Sequence, residues 1–300
     1  MPQQYEGRPL PRPDEELVDQ GLGFDLGTLM GRRRLLKALG LGVAGAGLAA
    51  CGATSAPSSA PSPAGTSAAT SATGAAGTTG EIPDETAGPY PGDGSNGPNV
   101  LDDSGIVRAD IRSSFGGSSG TAQGVPMTLE LAIRDLAGGG GPFAGVAVYV
   151  WHCDREGRYS LYSDGVQDQN YLRGVQVADA AGTVRFTSVF PACYAGRWPH
   201  VHFEVYPDQG SITDAGKAIA TSQVALPEDV SRQVYAQAGY ERSVENMSRL
   251  SLDSDNVFGD DGGASQLATV TGDVTDGYAV SLTVGVDTGT TPTGGGQPGR

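Results

Sequence analysis

Cysteine is scarce in this chain: 300 residues contain three. That number is too small for a disulfide-built scaffold. Histidine is equally rare, so any imidazole chemistry must draw on His152, His200 and His202. Charged residues make up only 18% of the chain, and their balance is acidic, with a formal net charge of −15. A phosphate backbone demands a positive surface, so nucleic acid is not an expected partner. Long apolar runs are lacking too; Ala38 to Ala50 is apolar but too short and too glycine-rich to span a bilayer. Glycine, in contrast, is abundant at 47 residues. With so few charges, this composition favours a turn-rich β protein over a helical one.

The first 51 residues read as an address. Arg32-Arg33-Arg34 precedes Leu35-Leu36-Lys37, an apolar core and Leu48-Ala49-Ala50-Cys51. A basic segment, an apolar core and small residues before a cleavage point form a secretory signal. The arginine pair resembles a twin-arginine export signal. Leu48 to Cys51 resembles a bacterial lipobox, which implies lipidation of Cys51. An ordinary signal peptide with a chance cysteine is the alternative. Translation starts at Met1 with a long leader, or at Met30. These features place the protein outside the cell, lipid-anchored to the outer face of the cytoplasmic membrane. Residues 52–80 are Ala, Ser, Thr, Gly and Pro, with Glu81 the first charge; such a stretch buries no core and reads as a disordered linker. Residues 289–300 read as a disordered tail. One domain, residues 81–288, lies between them.

Within that domain the patterning is that of strands. Met127, Leu129, Leu131 and Ile133 alternate with polar residues, and Val201, Phe203 and Val205 alternate with His200, His202 and Glu204. Further strand patterns occupy residues 146–152, 184–187, 218–226, 266–270 and 278–284, separated by Gly- and Asp-rich turns. The expectation is an all-β fold, an antiparallel β-sandwich with one or two short helices. Pro227-Glu228-Asp229 opens a helix to about Ala238, and a second short helix is expected over residues 244–250.

The chemistry concentrates around His200-Val201-His202. Side chains at i and i+2 of a strand share one face about 6–7 Å apart, so two imidazoles can converge on one ion. Spacing alone leaves a pair of ordinary histidines equally open. Glu204 shares that face and would complete a two-histidine, one-carboxylate set, but a third residue on one strand lies too far along it. That set also leaves Tyr194 and Arg197 without a role.

Several short motifs surround the pair in order: Glu85-Thr86-Ala87-Gly88-Pro89-Tyr90, Trp151-His152-Cys153-Asp154, Gly157-Arg158-Tyr159, Leu172-Arg173-Gly174, Asp179-x-x-Gly182, Pro191-x-x-Tyr194 and Arg197-x-x-His200-x-His202. Together they resemble the intradiol ring-cleavage dioxygenase family, of the catechol and protocatechuate type, and the secreted bacterial lipoprotein branch within it. The resemblance implies one non-haem Fe(III) held by Tyr159, Tyr194, His200 and His202, with Tyr194 the phenolate that substrate displaces. It implies a small phenolic substrate and O2, and opening of a catechol-type ring to a muconate-type dicarboxylate. Arg197 would stabilise charge on the ring, Gln223 would orient the reactants, and Tyr90 and Arg173 would line the substrate pocket. Hard, anionic phenolates suit ferric iron, which accounts for the residue types.

Each residue has a plainer reading. Tyr159 and Tyr90 read equally as packed core tyrosines, and Tyr162 competes with Tyr159 as the donor. His152 reads as a buried, hydrogen-bonded neighbour of the site. Cys153 and Cys193 either pair or remain buried thiols. The alternative function is a cell-surface sandwich that binds metal or a phenolic ligand without turnover.

Overall fold

The computed structural model describes residues 80–293, together with two short paired strands, β1 (Gln4–Tyr5) and β2 (Arg8–Pro9). The signal-like segment around Arg32, the Cys51 lipobox, most of the linker and the last seven residues lie outside the described residues. No helix among the described residues is long and apolar enough to cross a membrane.

Two sheets form the domain. The first has β3 (Pro126–Asp135) at its centre. β3 pairs with β4 (Gly141–Pro142), β7 (Thr183–Val189) and β11 (Gly277–Val286), and β10 (Thr269–Asp273) extends the sheet beyond β11. The second runs β6 (Arg173–Val177), β5 (Ala147–Trp151), β8 (His200–Tyr206), β9 (Ala220–Ala225). The expected all-β sandwich is what forms, with one amendment. β11 runs parallel to β3, with Tyr278 opposite Met127 and Val286 opposite Asp135. Side-chain alternation dictates faces but carries no information on strand direction, so the sequence pattern could not distinguish the two. β6 is a further strand that alternation did not pick out, because Arg173 and Gly174 break its apolar run.

The sandwich interior follows from the alternation. Leu129, Leu131 and Ile133 of β3 and Phe186 of β7 meet Val148 and Val150 of β5, Val201, Phe203 and Val205 of β8 and Val224 of β9 in one buried cluster. Each such side chain withdrawn from water contributes roughly 1.5–3 kcal/mol. The opposite face of the second sheet is not solvated. Tyr149, Trp151 and Tyr206 there pack with Tyr90, Val100, Ile106 and Tyr159 from the loops in a second buried cluster. All seven residues of β8 are therefore buried. Its histidine face is roofed by the loops around residues 83–115 and 153–172.

Two helices follow β9. α1 (Glu228–Tyr235) starts after Pro227, whose carbonyl accepts the Ser231 N–H at 3.0 Å. α2 (Glu241–Met247) begins three residues before the expected position. Gly239, with φ +95°, ends the preceding turn, and the Glu241 carboxylate accepts its N–H at 2.9 Å.

Candidate active site

The second sheet sets the floor of the site by its register. In β8, His202 stands opposite Trp151 of β5 and Gln223 of β9. The Trp151 indole lies parallel to the His202 ring, with centroids 4.9 Å apart and planes 5° apart. Gly88, with φ +73°, passes close to the same ring; a Cβ there would lie 3.3 Å from His202 Cε1, so the entry segment approaches this closely because it lacks a side chain.

The two tyrosines arrive on loops. Asp154 is buried and its carboxylate accepts from the backbone N–H groups of Glu156 and Arg158, from Arg158 Nε at 3.0 Å and from the Tyr171 hydroxyl at 2.9 Å. That web shapes the turn from which Tyr159 projects. Gly157 turns there with φ +88°, its would-be Cβ 3.4 Å from that of Tyr194. The Tyr194 loop is held from α2, where Ser243 Oγ accepts the Cys193 N–H at 3.0 Å and Asn246 Nδ2 donates to the Cys193 carbonyl at 2.9 Å.

These four side chains bring their polar atoms together. His200 Nε2 and His202 Nε2 are 3.0 Å apart, the Tyr194 hydroxyl is 3.2 Å from His200 Nε2, and the Tyr159 hydroxyl is 3.5 Å from that of Tyr194. Tyr159, His200 and His202 are buried, while Tyr194 is partly exposed. Tyr162 is not of this set. Its hydroxyl donates to the Asn96 carbonyl and accepts the Gly92 N–H, both at 2.9 Å. Among the described residues no group of three or more His, Cys, Asp and Glu is arranged to hold a metal; the convergent set here is two imidazoles plus two phenols.

The protonation pattern suits an electron-pair acceptor. His200 Nδ1 lies 2.5 Å from the Trp198 carbonyl, so its proton is there and the Nε2 lone pair faces the site. Burial, helped by the nearby Arg197 charge, pushes the His200 pKa down to about 3. Burial and the neighbouring His200 hold that of His202 well below its ordinary value, so both rings are neutral. With His200 Nε2 a lone pair, the 3.0 Å approach requires a proton on His202 Nε2, which leaves the buried His202 Nδ1 without any partner. A cation held at both Nε2 atoms would take up the two lone pairs that face each other, with the proton of His202 then on Nδ1. Burial also raises both phenols above their ordinary range; a multivalent cation reverses that preference. The donor set thus fits a hard cation with borderline affinity for imidazole.

Arg197 and Gln223 stand beside this centre. Arg197 Nη2 donates to Gln223 Oε1 at 2.6 Å, and Gln223 Nε2 donates to the Thr86 carbonyl at 3.0 Å. The buried Gln223 amide thus gives its oxygen to Arg197 and one N–H to the entry segment. Arg173 departs from its expected place. Its guanidinium donates to the carbonyls of Tyr90, Pro91 and Ser160, to Ser160 Oγ and to the Tyr149 hydroxyl, at 2.8–3.1 Å. It is 1% exposed, and it clamps the wall of the site instead of lining its opening. The Tyr90 ring packs between those of Tyr159 and Tyr162, with centroids 5.0 Å from each.

His152 is buried, with Nδ1 2.8 Å from the Cys153 carbonyl and Nε2 2.7 Å from Ser188 Oγ, away from the convergent atoms. Cys153 and Cys193 are both buried and unpaired. Burial pushes the Cys193 thiol up to about 12 and that of Cys153 well above its ordinary value, which makes both inert. Glu204 is tied to the Tyr206 hydroxyl at 2.7 Å and, more weakly, to Thr221; burial raises its pKa to about 8. One residue at the site had no signal in the sequence. Asp255, from the short 3-10 turns beyond α2, accepts Arg197 Nε at 3.1 Å and the Trp198 N–H at 2.6 Å.

Comparison with known proteins converges on one group. The family model described as Dioxygenase matches residues 97–210, a span that includes Tyr159, Tyr194, Arg197, His200 and His202. A chlorocatechol 1,2-dioxygenase of Rhodococcus opacus is 36% identical over 68 residues, which is 23% of this chain and 26% of that enzyme. A catechol 1,2-dioxygenase of a Pseudomonas species is 39% identical over 71 residues, 24% of this chain and 22% of that enzyme. The chain therefore spans about a quarter of the length of each of these two relatives. Among solved structures, an intradiol ring-cleavage dioxygenase from Tetranychus urticae superimposes with a TM-score of 0.56 at 22% identity, covering 71% of this chain and 97% of that one; at this identity the likeness concerns the fold.

Proposed function

We propose, for a chain that belongs to the intradiol ring-cleavage dioxygenase family, that it opens a catechol-type ring with O2 to a muconate-type dicarboxylate, using one non-haem Fe(III). The observation that carries this reading is the convergence of Tyr159, Tyr194, His200 and His202, whose polar atoms lie in a chain of 3.5, 3.2 and 3.0 Å contacts. Ferric iron held by these four would serve as a Lewis acid toward the two oxygens of a catechol.

The remaining work falls to the protein. Tyr194 is the partly exposed member of the four; held by ferric iron as the tyrosinate, it would be the group to take a proton from an incoming catechol hydroxyl and leave as the neutral phenol. Arg197, buried and held charged by Asp255, stands beside the centre through Gln223 and stabilises negative charge that builds on the ring. Gln223 acts through Arg197, holding its Nη2. Tyr90 packs on Tyr159 and walls the ring's side of the pocket.

The test is the visible spectrum of the protein purified in air. Tyrosinate bound to ferric iron gives a charge-transfer band, so a coloured protein whose band moves to longer wavelength on adding catechol is expected. A colourless, iron-free protein after reconstitution with ferric iron would refute the assignment.

We also propose that the domain works outside the cell, anchored through lipidated Cys51. This reading rests on the Leu48-Ala49-Ala50-Cys51 sequence after a basic, apolar leader. In a bacterial host that lipidates exported proteins, the wild type is expected in the detergent phase of a Triton X-114 partition and Cys51→Ser in the aqueous phase. Identical partitioning of the two would rule the anchor out.

A further inference from the structure

Asp255 lies outside the span matched by the family model, on a stretch whose sequence carries no motif of its own. Its side chain is fully buried, as is most of Arg197, and the two form an ion pair, with Nε 3.1 Å from Oδ2 and Nη2 3.5 Å from Oδ1. The carboxylate also accepts three backbone N–H groups: Trp198 at 2.6 Å on Oδ2, and Val257 at 2.8 Å and Phe258 at 3.1 Å on Oδ1. Burial alone would raise its pKa, but Arg197 and those amides outweigh it and hold the group ionised.

This set of partners is more than a counter-charge. The bonds to Val257 and Phe258 fix the carboxylate to its own turn. The bond to Trp198 N fixes it to the loop that runs from Tyr194 into His200. With both oxygens located in this way, Arg197 Nε has one direction open to it, and Nη2 is delivered to Gln223 at 2.6 Å. An arginine side chain has four rotatable bonds, and an unpaired one would turn its charge toward water. From this geometry we propose that Asp255 is a positioning residue for ring cleavage: it holds the Arg197 guanidinium against Gln223, which stands opposite His202 in the β8–β9 register, and makes the segment beyond α2 a necessary part of the active site. The proposal rests on the ring-cleavage reading for its effect on turnover, but not for its claim about the orientation of Arg197.

The full chain is compared with Asp255→Asn, which keeps the size of the side chain and removes its charge. Three quantities are measured: iron content with the visible spectrum, kcat and KM for catechol, and hydrogen exchange of the Arg197 Nε–H by 15N NMR, assigned by its loss in Arg197→Lys. The expected result is a variant that retains iron and the charge-transfer band, keeps KM within about threefold, and loses about 100-fold in kcat, as misplacement of a charge-stabilising group does. Its Arg197 Nε–H loses the slow exchange seen in wild type. A merely structural aspartate would instead cost iron, band and stability together, with no separate loss of kcat. A folded Asp255→Asn protein with wild-type kcat and an unchanged Arg197 resonance overturns the proposal. Should this variant fail to fold, wild type alone decides: an Arg197 Nε–H that exchanges as fast as in a free peptide also overturns it. If wild type proves to lack iron or turnover, the ring-cleavage reading falls, and the exchange measurement still judges Asp255.

Discussion

Replacing Tyr194 by Phe is expected to lower ring-cleavage turnover by about 100-fold or more, the scale on which a positioned proton acceptor contributes. The substitution removes one oxygen, which contacts His200 Nε2 at 3.2 Å and the Tyr159 hydroxyl at 3.5 Å. Those bonds are partly exposed, so the loss in stability should stay near 1 kcal/mol. The Tyr159 phenol and both imidazoles remain, so iron and a charge-transfer band from Tyr159 should survive. Oxygen uptake with catechol, read beside the visible spectrum, separates the two effects. Tyr162→Phe is the matched control, because its hydroxyl serves only Gly92 and Asn96. Undiminished oxygen uptake in the Tyr194 variant would remove this residue from the proton path. Unchanged catechol binding with no uptake in either protein would favour a binding module.

Arg173→Met is expected to destabilise the domain by roughly 3–5 kcal/mol, because it leaves several buried acceptors without donors. The guanidinium serves three carbonyls and two hydroxyl oxygens, and the Pro91 carbonyl and Tyr149 hydroxyl share its Nη1. For a domain of this size the midpoint of thermal unfolding should fall on the order of 10 °C. The entry segment carrying Gly88 and Tyr90 should loosen first, since Arg173 holds the carbonyls of Tyr90 and Pro91. An unchanged melting temperature combined with weaker substrate affinity would return Arg173 to the pocket lining.

What the sequence revealed depended on how local the determinant was. His200 and His202 share a face because of strand geometry alone, and β8 carries them so. Tyr159 and Tyr162 are three residues apart in a turn, where no periodicity separates them; they part because Tyr162 finds backbone partners at Asn96 and Gly92. Arg173 looked like a pocket cation because its motif lies near the site in sequence order. Its actual direction is decided by carbonyls more than 80 residues upstream, at Tyr90 and Pro91. Asp255 could not be foreseen, since it lies 58 residues from Arg197 in sequence, beyond two strands and two helices, in short 3-10 turns that carry no periodic signal. The parallel pairing of β11 with β3 is likewise a matter of topology, which alternation does not encode.

The burial of β8 on both faces divides the domain into parts with different freedoms. Its backbone is bonded on one side to β5 and on the other to β9, and its side chains are packed above and below. A strand held this way opens only when the whole domain opens, so its amides belong with the slowest-exchanging set. The roof, by contrast, is loop: residues 83–92 and 157–172 are fastened mainly by side-chain bonds such as those of Arg173 and Gln223. Apart from Gly88, which lies against His202, and Tyr159, evolution can therefore remodel the roof, and with it the shape of ring admitted, without shifting the strand below. Drift in the floor has no such latitude, because a change at Phe203 or Val205 shifts the histidines on the reverse of the same strand.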